Sequence, residues 1–440
     1  MDWTSGLERL AELAWSWPTL GLFLVTGLYY SLSTGFFQIF GLKTWWRATM
    51  GKLLHPSPEV SGLTALQTLS TALAATLGTG SIAGVATALT WGGPGAVFWM
   101  WVSAVLAMMT GWAEKALAVS LRRQRNGSWE GGPMVWLELA GHPRMARLFA
   151  LCVVAASFGM GNLVQSNSMA QALEESGGVP PLVTGLTAAI ITGISLAGGL
   201  KGLGRLCAVL VPVMALGYLA GGLWVILAHL PALPEALAEI VQGALSREAV
   251  LGGSAASALQ YGLARGVCTN EAGLGSTPLV HCASSNDDPW QEGMWGIFEV
   301  FCATIVVCTI TALAILTSGA AYTGREGALL TAAAFSTVMG RYGGGFVAVC
   351  LALFGLSTLL GWSWYGQCGL RYLTGGQGAM LYRALFLAAV CLGSVLELRP
   401  VWLLSDILNA LMAWPSLIAL LLWARRVKAC FFARPRAESS

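Results

Sequence analysis

Leu73-Ala-Ala-Thr-Leu-Gly-Thr-Gly-Ser-Ile-Ala-Gly84 and Gly266-Val-Cys-Thr-Asn-Glu-Ala-Gly-Leu-Gly-Ser276 are hydrophobic segments broken in the middle by glycine, and they sit at matching places in the two halves of the chain. In lipid a backbone amide without a partner costs several kcal/mol, so a spanning segment is expected to be an unbroken helix. Unwound backbone is tolerated at that depth where it lines a cavity or grips a ligand. Two such breaks in corresponding positions point to a small-ligand site near the bilayer midplane.

Composition supports the membrane reading. The chain of 440 residues is 56% hydrophobic and 10% charged, whereas soluble domains carry about a quarter charged residues. Apolar runs long enough to span, roughly 20 residues each, continue along the whole length and leave no room for a soluble domain. A net charge of +3, with basic residues at segment ends, does not suit nucleic acid. Of the ten cysteines, Cys152, Cys207, Cys268, Cys302, Cys308, Cys350 and Cys391 lie inside apolar runs, and no C-x-x-C occurs; they read as small hydrophobes. His55, His142, His229 and His281 are scattered without metal-ligand spacing. The N-terminus lacks a basic region and a cleavage site. Its Leu7, Leu10, Leu13 and Trp17, at helical spacing, predict a helix on the membrane surface before the first span.

The chain reads as an all-α membrane protein of eleven spans, at 16–40, 61–89, 94–120, 146–172, 180–198, 206–229, 252–283, 291–317, 343–370, 380–396 and 401–424. Alternate loops are unequal in charge. One set holds Lys43, Arg47, Lys52, Arg122, Arg123, Arg125, Arg144, Arg147, Lys201, Arg205, Arg371, Arg383, Arg425, Arg426, Lys428, Arg434 and Arg436; the other holds Arg9, Arg247, Arg325, Arg341 and Arg399. Seventeen against five predicts an N-terminus outside and a cytoplasmic C-terminus. Residues 1–60 then carry an extra span and a cytoplasmic loop, 61–229 a first five-helix repeat, 252–427 a second, and 428–440 a cytoplasmic tail. Five is odd, so the repeats are inverted relative to each other.

At the first break the amides of Gly80, Ser81 and Ile82 are expected to form the N-terminus of a half-helix that favours an anion such as a carboxylate. The carbonyls of Ala74 and Leu77 end the half-helix before it and favour a cation. An amino acid zwitterion with a monovalent metal ion suits that pair of ends. At the second break Thr269 and Asn270 are the candidates for ligand contact. Glu271 inside a span needs a partner or water; it is either a gate or strut on the freed amides, or a structural hydrogen-bonding group beside a vestibule. Asn162, Gln165 and Ser166 recur on one helical face, either for a zwitterion or as glue between helices. Ser357 and Thr358 offer the hydroxyl oxygens that a hard cation such as sodium prefers, and Trp362 one turn on is placed to wall a pocket. Glu114 and Lys115 are expected to snorkel at the end of their span, and Glu299 and Asp406 to be isolated acids.

Other function classes lack their residues. A channel needs a continuous polar path, and an intramembrane enzyme needs a nucleophile–base pair or metal ligands. The chain is therefore expected not to be an enzyme and to need no cofactor.

Gly78-Thr-Gly80 with Ile82-Ala-Gly84, Gly92-Gly-Pro-Gly95 with Phe98-Trp-Met-Trp-Val-Ser103, and Ala156-Ser-Phe-Gly159 with Gly161-Asn162 resemble the alanine or glycine:cation symporter family. Gly198-Gly-Leu-Lys201, Arg265-Gly266, Asn270-Glu-Ala-Gly-Leu-Gly-Ser276 and Gly361-Trp-Ser363 extend the likeness from about residue 61 onward. It implies a LeuT-type 5+5 inverted repeat in the cell membrane, importing a small neutral amino acid by alternating access with sodium or a proton. It also implies substrate contacts from Thr79, Gly80, Gln165, Cys268, Thr269 and Trp362. The cation would lie near Ser357, Thr358 and the carbonyls of Ala74 and Leu77. Ser81, another candidate contact, stands where members commonly have Asn. Cys268-Thr269 replaces Phe-Ser, and Cys302-Ala303 falls where Ile-Asp is frequent. Alanine or glycine with sodium is the expected cargo; the alternative is a proton-coupled carrier of a different small amino acid, with Glu271 or Glu299 titrating.

Overall fold

Among the described residues six helices are long and apolar enough to cross a bilayer: Gly95–Ser120, Pro143–Gly177, Gly199–Ala228, Pro289–Thr317, Tyr342–Thr374 and Pro400–Leu422. The other five predicted spans fall on shorter or interrupted helices. Trp17–Ser33, Pro181–Ala197 and Ala379–Val395 are continuous, and the two glycine-bearing segments are broken. The computed structural model describes residues 3–54, 62–125, 127–246, 253–396 and 398–433. His55, Arg247, Arg434 and Arg436, the boundaries at 60 and 252, and the tail from 434 lie outside them.

The first broken helix starts on a capping box. Thr64 Oγ1 accepts from the Gln67 amide at 3.2 Å while Gln67 Oε1 accepts from the Thr64 amide at 3.2 Å, satisfying two orphan donors at once. Ala65–Thr76 follows, then a tight turn at Thr79–Ser81, then Ala83–Gly92. The second runs Ser254–Asn270, breaks, and resumes as the short Pro278–His281 arm. The ends of the two meet: the Leu63 amide donates to Ala283 O at 3.1 Å and the Ser285 amide to Leu63 O at 2.9 Å.

Gly95–Ser120 packs on the second broken helix and on Pro289–Val300. A Cβ on Gly296 would run into the Gly111 carbonyl, so these two helices cross backbone against backbone, the contact that small residues permit in membranes. On the outer flanks Ile190, Ile194, Val209, Val213, Leu216 and Leu385 are exposed. An apolar exterior of that kind is what lipid requires.

Three segments depart from the predicted loops. The 230–251 loop contains the helix Leu233–Leu245, and the stretch before Tyr342 contains Gly327–Met339. Neither is long enough to span. The turn after Gly95–Ser120 forms a hairpin, Arg123–Arg125 with Ser128–Glu130, and a helix, Pro133–Leu139. The predicted N-terminal helix is Trp3–Ala14, with Leu10 and Leu13 exposed. It packs on Leu398–Leu422, and the indole of Trp15 just beyond it donates to Asp406 O at 2.9 Å.

Candidate functional site

The first break is held by neutral groups. Leu77 ends its half-helix with its amide on Leu73 O at 2.7 Å. Gln165 Oε1 accepts from the Thr79 amide at 3.2 Å, and its Nε2 donates to Met160 O at 2.9 Å. The amides of Ser81 and Ile82, expected to be bare, close a turn onto the carbonyls of Gly78 and Thr79 at 3.1 and 3.2 Å. Thr311 donates to Ser81 O at 2.9 Å and Thr331 to Ile82 O at 3.3 Å. These two threonines were missed in the sequence. Thr331 sits on the unpredicted Gly327–Met339 helix, and a lone Thr in an apolar run carries no signal.

Two features leave room for a ligand here. Gly80 is partly exposed, and a Cβ on it would meet only Thr269 Oγ1, at 3.8 Å. Thr79 is buried, and its hydroxyl has no partner among the described residues. Thr269 itself donates to Arg265 O at 2.7 Å.

Below the break, oxygens gather. Ser357 Oγ and Thr358 Oγ1 lie 3.2 and 3.0 Å from Ala74 O, and 2.8 and 3.0 Å from Phe354 O; Thr358 Oγ1 is also 3.5 Å from Ala75 O. A hydroxyl carries one proton and donates to one carbonyl at a time. The cluster therefore holds more acceptor oxygens than protons to fill them. Neutral oxygen ligands without thiol or imidazole fit a hard cation.

The second break is held by carboxylates. Glu271 has φ of +54°, and Gly273 and Gly275 follow at +95° and +77°, a left-handed path that only glycine takes without strain. Glu114 Oε1 accepts from the amides of Gly273 and Gly275 at 3.0 and 2.9 Å. Glu271 accepts from Ser276 Oγ at 2.6 Å and Trp362 Nε1 at 2.9 Å. Asn270 caps the break through Oδ1 on the Ala272 amide at 3.1 Å and donates to Thr304 at 3.3 Å. The strut on the freed amides is thus Glu114, while Glu271 ties the break to Trp362.

Glu114 and Lys115 do not snorkel: both are fully buried. Lys115 Nζ donates to Thr277 Oγ1 at 2.6 Å and pairs with Glu299 at 3.1 Å. Glu299 is not isolated either, since it also bonds His281. Asp406 pairs with Arg265 at 2.9 Å. Asn162 and Ser166 turn away from Gln165: Asn162 donates to Phe386 O at 2.7 Å and Ser166 to Leu163 O at 3.3 Å. A π-turn over Gly159–Leu163 shifts the register between Asn162 and Gln165, and such turns recur at functional sites.

A vestibule of about 1010 Å³ opens on the N-terminal side and reaches down to Ala83 and Cys268, beside both breaks. Among the described residues Glu8, Glu12, Glu175, Glu326 and Asp406 line it against one lining cation, Arg265. Of the predicted contacts Cys268 lines it; nearby, Gln165 holds the Thr79 amide, Gly80 faces Thr269, and the Ser357 and Thr358 hydroxyls lie on Ala74 O. Trp362 is fully buried, with its indole committed to Glu271.

Over residues 2–433 the sequence matches the sodium:alanine symporter family. It is 40% identical over 432 residues to the sodium/alanine symporter AgcS of Methanococcus maripaludis, covering 96% of this chain and 95% of that one. It is 34% identical over 423 residues to the probable sodium/glutamine symporter GlnT of Bacillus subtilis, covering 94% and 87%. In three dimensions it resembles MhsT, solved in complex with L-phenylalanine, with a TM-score of 0.62 at 14% identity over 86% of this chain and 94% of that one. The shared fold is of the LeuT type.

Proposed function

This chain belongs to the sodium:alanine symporter family, and from that premise we propose that it imports alanine or glycine together with sodium by alternating access. The observation that carries the reading is the space over Gly80, where a Cβ would meet Thr269 Oγ1 at 3.8 Å, next to the Thr79 hydroxyl that has no partner among the described residues. The substrate carboxylate takes the start of the Ala83–Gly92 half-helix, where the dipole is favourable. Gln165, Ser81, Cys268, Thr269 and Asn270 shape the remainder, and Trp362, through Glu271, ties the second break to the scaffold. Sodium takes the oxygens of Ala74, Leu77, Ser357 and Thr358. The acid-lined vestibule favours cation approach.

In the cell membrane the N-terminus faces out and the basic loops face in, so the vestibule opens outward. The two broken helices head two inverted five-helix repeats that rock about the site. No bond is made or broken: cargo and ion fill the site together, and the gates close on the loaded or empty forms.

Uptake into proteoliposomes under an imposed sodium or proton gradient tests this, with alanine, glycine and glutamine as substrates. Sodium-driven accumulation of alanine or glycine is expected. Glutamine uptake, which the name of the Bacillus relative prompts, or drive by protons alone would replace the cargo or the ion.

A further inference from the structure

At the end of the molecule away from the vestibule, His281 stands between two carboxylates. Nδ1 is 2.7 Å from Glu292 Oε1, and Nε2 is 2.7 Å from Glu299 Oε1. All three side chains are buried. Two facing lone pairs do not approach so closely, so each contact contains a proton. A neutral imidazole supplies one N–H, and two ionised carboxylates supply none. The triad therefore holds one proton more than a neutral histidine with two carboxylates. We propose that Glu292–His281–Glu299 is a proton-binding site loaded from the cytoplasm, whose proton clamps the Pro278–His281 arm to the Pro289–Val300 helix and keeps the inner end of the carrier shut.

The surrounding charges explain why the proton matters. From the Gly95–Ser120 helix, Lys115 pairs with Glu299 at 3.1 Å and lies 3.8 Å from Glu114. Glu271 lies within the break, bonded by the Trp362 indole, and Tyr365, buried on the same Tyr342–Thr374 helix, interacts with Glu271 and Glu299. On the cytoplasmic side Arg122 donates to Cys282 O and Ser284 O at 3.0 and 2.8 Å, and Lys52 faces Glu292. With the proton, the imidazolium and Lys115 offset two of the three carboxylates Glu114, Glu292 and Glu299. Without it a second negative charge is left uncompensated in a dry interior, and one 2.7 Å contact becomes lone pair against lone pair. Both penalties disappear if the arm swings away and water enters. Opening thus releases H⁺ from the imidazolium to cytoplasmic water, and closing takes it up again.

The second oxygen of Glu292 faces a turn that reaches the surface. Glu292 Oε2 accepts from Ser284 Oγ at 3.2 Å and from Asn286 Nδ2 at 3.0 Å, and Asp287, next along the same turn, is largely exposed and paired with Arg122. A proton exchanged with one face only is not carried across the membrane. It biases the gate, and acid cytoplasm favours the inner-closed form.

The direction and consequence rest on the carrier reading; the proton count does not. Hydrogen exchange of residues 276–288 in the full-length chain in nanodiscs, corrected for intrinsic rates, is followed from about pH 6 to about pH 10. Wild-type protection should be level in acid and then fall about tenfold per pH unit, as one-proton linkage requires. Glu292→Gln supplies an amide donor for Nδ1, so a neutral imidazole completes both contacts and protection should stay level into alkali. His281→Gln, the control should that variant not fold, should lose the slope. A level wild-type profile, or an unaltered slope in either variant, overturns the proposal. Absence of uptake in proteoliposomes with the exchange titration intact would sink the carrier reading and leave the proton site standing.

Discussion

The two helix breaks expose similar backbone and are satisfied by different chemistry. At the first, a glutamine amide takes the Thr79 N–H, and hydroxyls of Thr311, Thr331, Ser357 and Thr358 take carbonyls. At the second, Glu114 takes two amides and Glu271 takes a hydroxyl and an indole. Hydrogen bonds to an ionised group are roughly twice as strong as neutral ones. Neutral partners can be exchanged for a ligand at small cost, whereas buried carboxylates fix the backbone where it lies. Glycine marks both breaks, and the partners separate a binding site from a strut.

The sharpest way to break that contrast is Glu114→Ala. It removes the acceptor for Gly273 and Gly275 and one of the carboxylates near Lys115. Losing one member of a buried charged set costs about 3–5 kcal/mol, so thermal unfolding in detergent should drop by many degrees, with or without sodium. An unchanged melting temperature would make the second break no firmer than the first. Gly80→Val is the counterpart at the first break. Its Cβ has room, so stability should move within about 1 kcal/mol, while the branched side chain fills the space over the turn and uptake falls to background. Full alanine uptake by this variant would remove Gly80 from the site.

The contrast was half legible in the sequence. Glycine runs inside apolar segments have few uses, so both breaks could be read directly, and the adjacent hydroxyls of Ser357 and Thr358 pointed to a cation. The strut could not be read. Glu114 and Gly273 are 159 residues apart, and a carboxylate beside a lysine near the end of a span reads as snorkelling until packing buries both. Spacing also put Asn162 and Gln165 on one face, because an ideal helix was assumed where a π-turn intervenes. The Leu233–Leu245 and Gly327–Met339 helices lie between the predicted spans, in segments read as loops, and the second of them brings Thr331 to the first break.

A smaller effect is expected at the oxygen cluster. Ser357→Ala deletes one of two hydroxyls on Ala74 O and leaves Thr358 in place. A loss of about 1 kcal/mol raises the sodium half-saturation about fivefold, with the maximal rate held. An unchanged sodium dependence of uptake would move the ion elsewhere.

The smallest effect tests whether burial, rather than the charge itself, gives the second break its firmness. Arg123, in the hairpin beyond the spans, repeats a cation-between-carboxylates arrangement, with Glu130 at 3.3 Å and Glu138 at 3.0 Å. Its hydrogen bond holds the Glu138 carboxyl below the ordinary carboxylate range. A lowered folded value means that the pair stabilises above the unfolded pKa and that this gain is lost as pH falls through the folded one. Glu138 is 39% exposed, so water and salt screen the pair. Glu138→Gln should cost less than about 0.5 kcal/mol near neutral pH, less still in high salt, and the difference should vanish as pH falls through the lowered Glu138 value. Melting temperatures of wild type and variant across that range measure it. If Glu138→Gln proved as costly as Glu114→Ala, dry surroundings would not be what separates a strut from a surface pair, and the distinction between the two breaks would have to rest on geometry alone.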